Sequence, residues 1–378
     1  MPDLPRTHIV HLVYRFAIGG LENVVVQLIN GLPHDEFRHT VITLTDADEK
    51  FCSRIDRPDV EIISLHKPPG QPFRLYPRMF RLLRRLRPDV FHSCNLAALE
   101  FAPVAMASGV PLRVHAEHGW DAHDPNGSNP RYQKIRKLYR HFVSHYIAVS
   151  QDLDDYLARK IGIPAHSRSL FANGVDTKAF APSSAPELPA ECPFVPRQHW
   201  LVGTVGRMQT VKNQPFLARA FVRLIQQPPE AASRARLVLI GDGPLRPEVE
   251  RILEEGGVSA LTWMPGARSD IARLLQSLDC FVLPSEAEGT SCTLQEAMAC
   301  GLPAIATAVG GTPQLVTEGV TGTLLAPNDD EALSEALWVY YSNQKMATEQ
   351  GQAARTFAEA NFSLAHMLDR YRRLFAGK

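Results

Sequence analysis

Apolar runs of three to seven residues alternate with amphipathic stretches of helical length along most of the chain, and this rhythm restricts the fold more than any other feature. The runs fall at 8–14, 39–45, 60–65, 89–93, 112–117, 145–149 and 169–172, then at 200–205, 236–240, 261–264, 280–283, 304–307 and 323–325. Such short apolar runs are what strands buried on both faces look like. Strands that alternate with helices form parallel sheets with right-handed crossovers. The rhythm breaks at 181–198, APSSAPELPAECPFVPRQ, whose five prolines and lack of period read as a linker. Two doubly wound, Rossmann-like α/β domains facing a cleft are therefore expected, at 1–180 and 199–361. From 329 onward the pattern gives three helices and no strand, the last at about 363–375 and placed to pack back on the first domain.

Composition narrows the function. Lys plus Arg and Asp plus Glu are 40 each, which argues against a chain that coats nucleic acid. An apolar fraction of 45% excludes wholesale disorder. No apolar run reaches the roughly 18 residues of a membrane span, and the N-terminus, with Asp3, Pro5, Arg6 and Arg15 around a short apolar run, is too broken for a signal peptide. Cys52, Cys94, Cys192, Cys280, Cys292 and Cys300 show no CxxC spacing and read as reduced thiols of a cytoplasmic protein. Charge is uneven: residues 1–180 hold 23 basic and 19 acidic residues, residues 181–378 hold 17 and 21. Two stretches of the first half carry cations and no acid, 74–87 (RLYPRMFRLLRRLR) and 131–140 (RYQKIRKLYR). Interleaved apolar residues make them either solvated helix faces or interfacial helices on anionic lipid, and the second reading is favoured.

In doubly wound sheets ligands bind beyond the carboxyl ends of the strands, so each loop that follows a strand is a site candidate. The densest is 283–303, LPSEAEGTSCTLQEAMACGLP. Its loop carries Glu288 and Gly289, and Thr290 and Ser291 are cap-type residues opening a helix that contains Glu296. A helix start offers free N–H groups to an anion, so two flanking carboxylates could grip hydroxyls while the amides grip phosphate; alone, the pair also fits two surface glutamates. At 205–213, VGRMQTVKN, Gly206 allows close approach, and Arg207 with Lys212 suits a diphosphate. Gly19 and Gly20 open a helix after the first strand, but FAIGGLE lacks the GxGxxG of a dinucleotide loop, and no P-loop is present. IGDGP around Gly241 and the Gly310-Gly311 pair add further glycine-bearing strand ends in the second half. In VHAEHGWDAHD, residues 114–124, His115, His118, His123, Asp121 and Asp124 invite a metal, but the spacing favours one histidine acting as a hydrogen-bonding or acid–base group.

In this order, Gly19-Gly20-Leu21-Glu22, His118, Asn173-Gly174-Val175-Asp176, Arg207 with Lys212, Gly241-Asp242-Gly243-Pro244, Glu288 with Glu296 and Gly310-Gly311 resemble the retaining glycosyltransferases of family four. The resemblance covers nearly the whole chain and, within the family, points toward exopolysaccharide-associated sugar transferases of bacterial PEP-CTERM/exosortase systems. It implies the GT-B fold with a C-terminal crossover helix at 362–378, a UDP- or GDP-linked sugar donor on the second domain, and a glycan or lipid-linked acceptor on the first. It implies that Arg207 and Lys212 neutralise the diphosphate, Glu288 binds the transferred sugar, Glu296 the ribose, His118 the donor sugar, and Gly20 leaves room for the phosphates. Thr290-Ser291 stand where many members have Phe-Gly, at the border of the sugar. No metal or other cofactor is expected, and the place of action is the cytoplasm or the inner face of the plasma membrane. A non-hydrolysing nucleotide-sugar epimerase and an NAD-dependent dehydrogenase are the competing readings.

Overall fold

The computed structural model describes residues 6–70, 72–120, 124, 127–227 and 229–377. It divides into two compact units, one of residues 1–174 with 364–378, the other of residues 175–363.

The first unit is built on seven strands: β1 (Thr7–Val13), β2 (Phe37–Thr43), β3 (Glu61–Ser64), β4 (Val90–Cys94), β5 (Leu112–Glu117), β6 (His145–Ala148) and β7 (Arg168–Leu170). Their order is β3-β2-β1-β4-β5-β6-β7, every pairing parallel. Val10, Leu12, Phe91 and Leu83 fill one core cluster; Ile9, Val24, Leu28 and Val90 fill another. The C-terminal helix Leu364–Phe375 completes the second cluster with Met367, Tyr371 and Phe375, spaced four apart and so on one helix face. Its return to the first unit is the expected one.

The second unit has six strands: β8 (Trp200–Val205), β9 (Ala235–Ile240), β10 (Thr262–Gly266), β11 (Cys280–Leu283), β12 (Ala304–Thr307) and β13 (Gly322–Leu325). Their order is β10-β9-β8-β11-β12-β13, again parallel throughout. All thirteen expected strands are present, with ends shifted by no more than two residues. Phe216, Leu217 and Phe221 of the helix Gln214–Gln226 pack on Val202, Leu237 and Leu239.

The proline-rich segment is not a free linker. It packs on the second unit, where Phe194 is buried beneath the Arg236 guanidinium. Glu191 pairs with Arg268 at 2.5 Å and Glu187 with Arg273 at 3.4 Å. Prolines removed the helical and strand signals without removing the side chains that dock. The division between units accordingly falls at 174/175 rather than at 180.

Candidate active site

In each sheet the strand order reverses once, between β1 and β4 and between β8 and β11. Such switch points open a crevice at the carboxyl edge. In the second unit the loops at this edge are joined through their backbones. The N–H of Gly206 donates to the Ile240 carbonyl (2.9 Å), Met208 to Asp242 (3.0 Å), Glu286 to Val211 (2.9 Å) and Gly311 to Gly289 (3.1 Å). Gly241 (φ +134°) and Gly310 (φ +51°) make this closeness possible. A Cβ at Gly241 would strike the Gly206 carbonyl, and one at Gly310 the carbonyl of Glu288.

Lys212 ends a short 3₁₀ turn, Thr210–Lys212, after β8. Its Nζ lies 2.6 Å from Oε1 of Glu288, in the loop after β11. Ser285 Oγ donates to the same oxygen at 2.6 Å, and Thr307 Oγ1 donates to the Ser285 carbonyl at 2.6 Å. Glu288 is buried, while Lys212 reaches it from a half-exposed position. Sequence reasoning left Lys212 without a protein partner; the fold supplies one because β8 and β11 are neighbours. Arg207 is exposed, and its guanidinium has no partner among the described residues. Ser291 caps the helix Cys292–Ala299, its Oγ accepting from the Leu294 N–H at 3.3 Å, so one amide of that helix start is already taken. Glu296 sits one turn in, half-buried.

Four residues of this site escaped the sequence reading. Ser285 and Thr307 brace Glu288 from below. Asn213 (φ +48°) and Asn328 (φ +62°) are 2.7 Å apart, and each amide is 3.4 Å from Glu286. An asparagine at a strand–helix junction is a signal for the left-handed conformation; the two hydroxyls give no local sign of their task.

In the first unit the helix Gly20–Gly31 starts at the expected glycine pair, with Gly19 extended at φ −173°. Burial raises the pKa of the Glu22 carboxyl beside it. His118 follows β5, its backbone N–H donating to Oδ1 of Asn95 at 2.8 Å, and Asn95 itself stands at φ +60°. Both ring nitrogens of His118 are buried without a hydrogen-bond partner. Burial, helped by nearby His115, lowers its pKa to about 4, so the ring is neutral at pH 7. The five-residue metal set does not assemble among the described residues. His115 Nδ1 faces Ser93 Oγ (2.9 Å), Asp124 accepts from the Asn129 N–H (3.0 Å), and Asp121 and His123 lie outside the described residues.

The two basic stretches part company. On the helix Tyr76–Leu86, Met79 and Leu83 are buried and Arg78, Arg81, Arg84 and Arg85 are exposed, with Arg74 before it and Arg87 after it exposed as well. On the helix Pro130–Tyr139, Arg136 is buried against Glu117 (2.6 and 3.2 Å), and Arg140 donates to the Ile161 carbonyl at 2.6 Å. Burial alone would raise the Glu117 carboxyl, but Arg136 and His115 hold it well below the usual range. Arg136 and Arg140 are thus structural, and the second stretch presents Arg131, Lys134 and Lys137 to solvent.

Each half matches a family model: glycosyltransferase family 4 over residues 18–179, and glycosyl transferases group 1 over residues 200–343. The chain belongs to the family four glycosyltransferases. A UDP-Gal:alpha-D-GlcNAc-diphosphoundecaprenol alpha-1,3-galactosyltransferase of Escherichia coli is 24% identical over 98% of this chain and 97% of its own length. A D-inositol 3-phosphate glycosyltransferase of Mycolicibacterium paratuberculosis is 33% identical, over 52% of this chain and 44% of its length. Among solved structures, Anabaena HepE in complex with UDP and glucose superposes with a TM-score of 0.82, at 20% identity, over 98% of this chain and 99% of that one. The fold of this glycosyltransferase is GT-B, and the transferase expectation prevails over the epimerase and the dehydrogenase.

Proposed function

We propose that this glycosyltransferase moves a sugar, with retention, from a nucleotide-diphosphate sugar to a lipid-linked or glycan acceptor, in the synthesis of a bacterial exopolysaccharide or other cell-surface glycan. The observation that carries the reading is the Lys212–Glu288 contact at the β8/β11 switch point, with Arg207 and the Cys292–Ala299 helix start on the same edge. Between UDP and GDP, the nucleotide held by HepE favours UDP. The diphosphate lies against Arg207 and Lys212, whose charges offset what develops on the leaving phosphate. Glu288 Oε1 is held by Lys212 and Ser285, so Oε2 accepts from a sugar hydroxyl. Glu296 takes the ribose hydroxyls, and Gly206, Gly241 and Gly289 keep the backbone low beneath the donor. Thr290 and Ser291 border the sugar and bear on its identity.

His118, neutral, offers the donor sugar a hydrogen bond without charge, and Gly19 and Gly20 leave space near the phosphates. In the transfer step the bond from the anomeric carbon to the phosphate oxygen breaks. A bond to the acceptor oxygen forms on the same face, and the acceptor proton passes to the departing phosphate. No residue acts as a nucleophile, unlike a retaining glycosidase, and no metal cofactor is assigned. Among the described residues no helix is long and apolar enough to cross a membrane. A lipid-linked acceptor would be met by docking through the arginines of Tyr76–Leu86 on anionic lipid at the inner face of the membrane. The test is a calorimetric panel of nucleotide diphosphates followed by anomeric analysis of the product. UDP binding and a retained anomer are expected; no nucleotide binding, or an inverted product, overturns the reading.

A further inference from the structure

A row of histidines crosses the first sheet and ends at a cysteine. His39 Nδ1 is 3.0 Å from His11 Nε2, and His11 Nδ1 is 3.0 Å from His92 Nδ1, on β2, β1 and β4 in turn. All three rings are buried. His92 and Cys94 stand two apart on β4, hence on one face of the strand. Sγ of Cys94 is 3.8 Å from His92 Nε2. His118, at the end of neighbouring β5, brings its unpartnered nitrogens to the same place: one donor atom from each of His92, Cys94 and His118 lies within 4.8 Å of the other two.

We propose that His92, Cys94 and His118 form a binding site for a thiophilic cation, Zn²⁺ above all. The donor set is two imidazoles and a thiolate, which suits zinc and not magnesium or calcium. Tetrahedral zinc with bonds of about 2.0–2.3 Å places its donors roughly 3.3–3.6 Å apart, so the three donors, within 4.8 Å of one another, would draw in on the ion as it binds. His92 has the outer contact that a metal-binding histidine needs. With Nδ1 donating to His11, and His11 donating onward to His39, its Nε2 lone pair is left for the ion. His118 breaks no hydrogen bond by turning to the metal, because its ring makes none with a described residue. Binding exchanges the Cys94 thiol proton for the metal: a sulfur–hydrogen bond is lost, a sulfur–metal bond forms, and the proton leaves to solvent. Occupancy would take His118 out of use. On the reading of His118 given above, zinc is then an inhibitor of transfer and not its cofactor.

The experiment needs no transfer assay. Purified, metal-free protein is titrated with Co²⁺ and its absorbance recorded. One equivalent is expected to give the visible bands of a tetrahedral ion and a near-ultraviolet thiolate-to-cobalt band, both bleached by one equivalent of Zn²⁺. Cys94→Ser should abolish the charge-transfer band, Cys52→Ser should keep it, and His118→Gln should weaken cobalt binding at least tenfold. His118→Gln removes a ligand without removing a hydrogen bond, so it reports even if Cys94→Ser fails to fold. A charge-transfer band that survives Cys94→Ser, affinity unchanged in His118→Gln, or no such band in the parent protein would overturn the site.

Discussion

Lys212 has two tasks that substitution can separate. It holds the buried carboxylate of Glu288 at 2.6 Å, and on the proposed reading it also faces a diphosphate. Arg207, exposed and unpaired among the described residues, has only the second task. Arg207→Ala and Lys212→Ala should each lower turnover by about a hundredfold or more. Only Lys212→Ala should also lower the melting temperature, because a buried acceptor without its partner costs about 1–3 kcal/mol. Turnover near the parent rate in both variants would remove the diphosphate assignment. The two glutamates divide in the same way. Glu288→Gln should depress turnover and leave the affinity for free UDP unchanged or slightly tighter, since that ligand has no sugar and Lys212 is released. Glu296→Gln should weaken donor and free UDP alike, by roughly 1.5–3 kcal/mol in calorimetry. Equal losses of UDP affinity in both would mean that the pair does not split donor recognition.

At the scale of the element, two helices that look alike as sequence do different work. Tyr76–Leu86 buries Met79 and Leu83 and turns its arginines outward, while Pro130–Tyr139 spends Arg136 on Glu117. Binding to anionic liposomes should therefore depend on the first. Replacing Arg81, Arg84 and Arg85 with Glu should abolish co-sedimentation, each arginine being worth roughly 1 kcal/mol at such a surface, and added salt should weaken the parent. Arg136→Met should leave liposome binding in place and lower stability, by stranding Glu117. Equal binding to neutral vesicles would refute the electrostatic account. The difference between these helices comes from β5, which ends in Glu117 directly beneath Arg136; nothing local to 131–140 announces it.

Over the whole molecule, the two units should respond to acid in opposite senses through named groups. His8 and His39 in the first unit are held neutral chiefly by burial, at about 4 and about 3 against an ordinary 6.5. The unfolded chain binds protons there first, so their stabilising contribution is full above pH 6.5 and is lost as pH falls toward 4. Asp279 in the second unit is pushed by burial up to about 6 from 3.8, although the Leu201 N–H donates to it at 2.7 Å. Here the folded state holds the proton more tightly, so stability from this group falls as pH rises from 4 to 6 and is level above. Calorimetry of the full chain checks both. His8→Gln, polar but not titrating, should flatten the loss between pH 6.5 and 4. The melting-temperature gain of Asp279→Asn over the parent should grow from pH 4 to 6 and then stay constant; a gain independent of pH would show that Asp279 does not titrate in that window.

The thirteen strands, the helical tail, the strand-end loops that carry Arg207, Lys212 and Glu288 and the helix that carries Glu296 were legible in the chain itself, because period and turn chemistry are local properties. Tertiary structure alone decided which of those loops meet. Lys212 and Glu288 are 76 residues apart and touch because β11 crosses to lie beside β8. His92, Cys94 and His118 gather because β4 and β5 are neighbours in parallel register. The docking of 181–198, which its prolines hid, and the burial of Arg136, which its basic neighbours hid, have the same cause. A residue's spacing along the chain fixes which face it takes, whereas its partner is set by the order of strands in the sheet, and that order is a property of the whole fold.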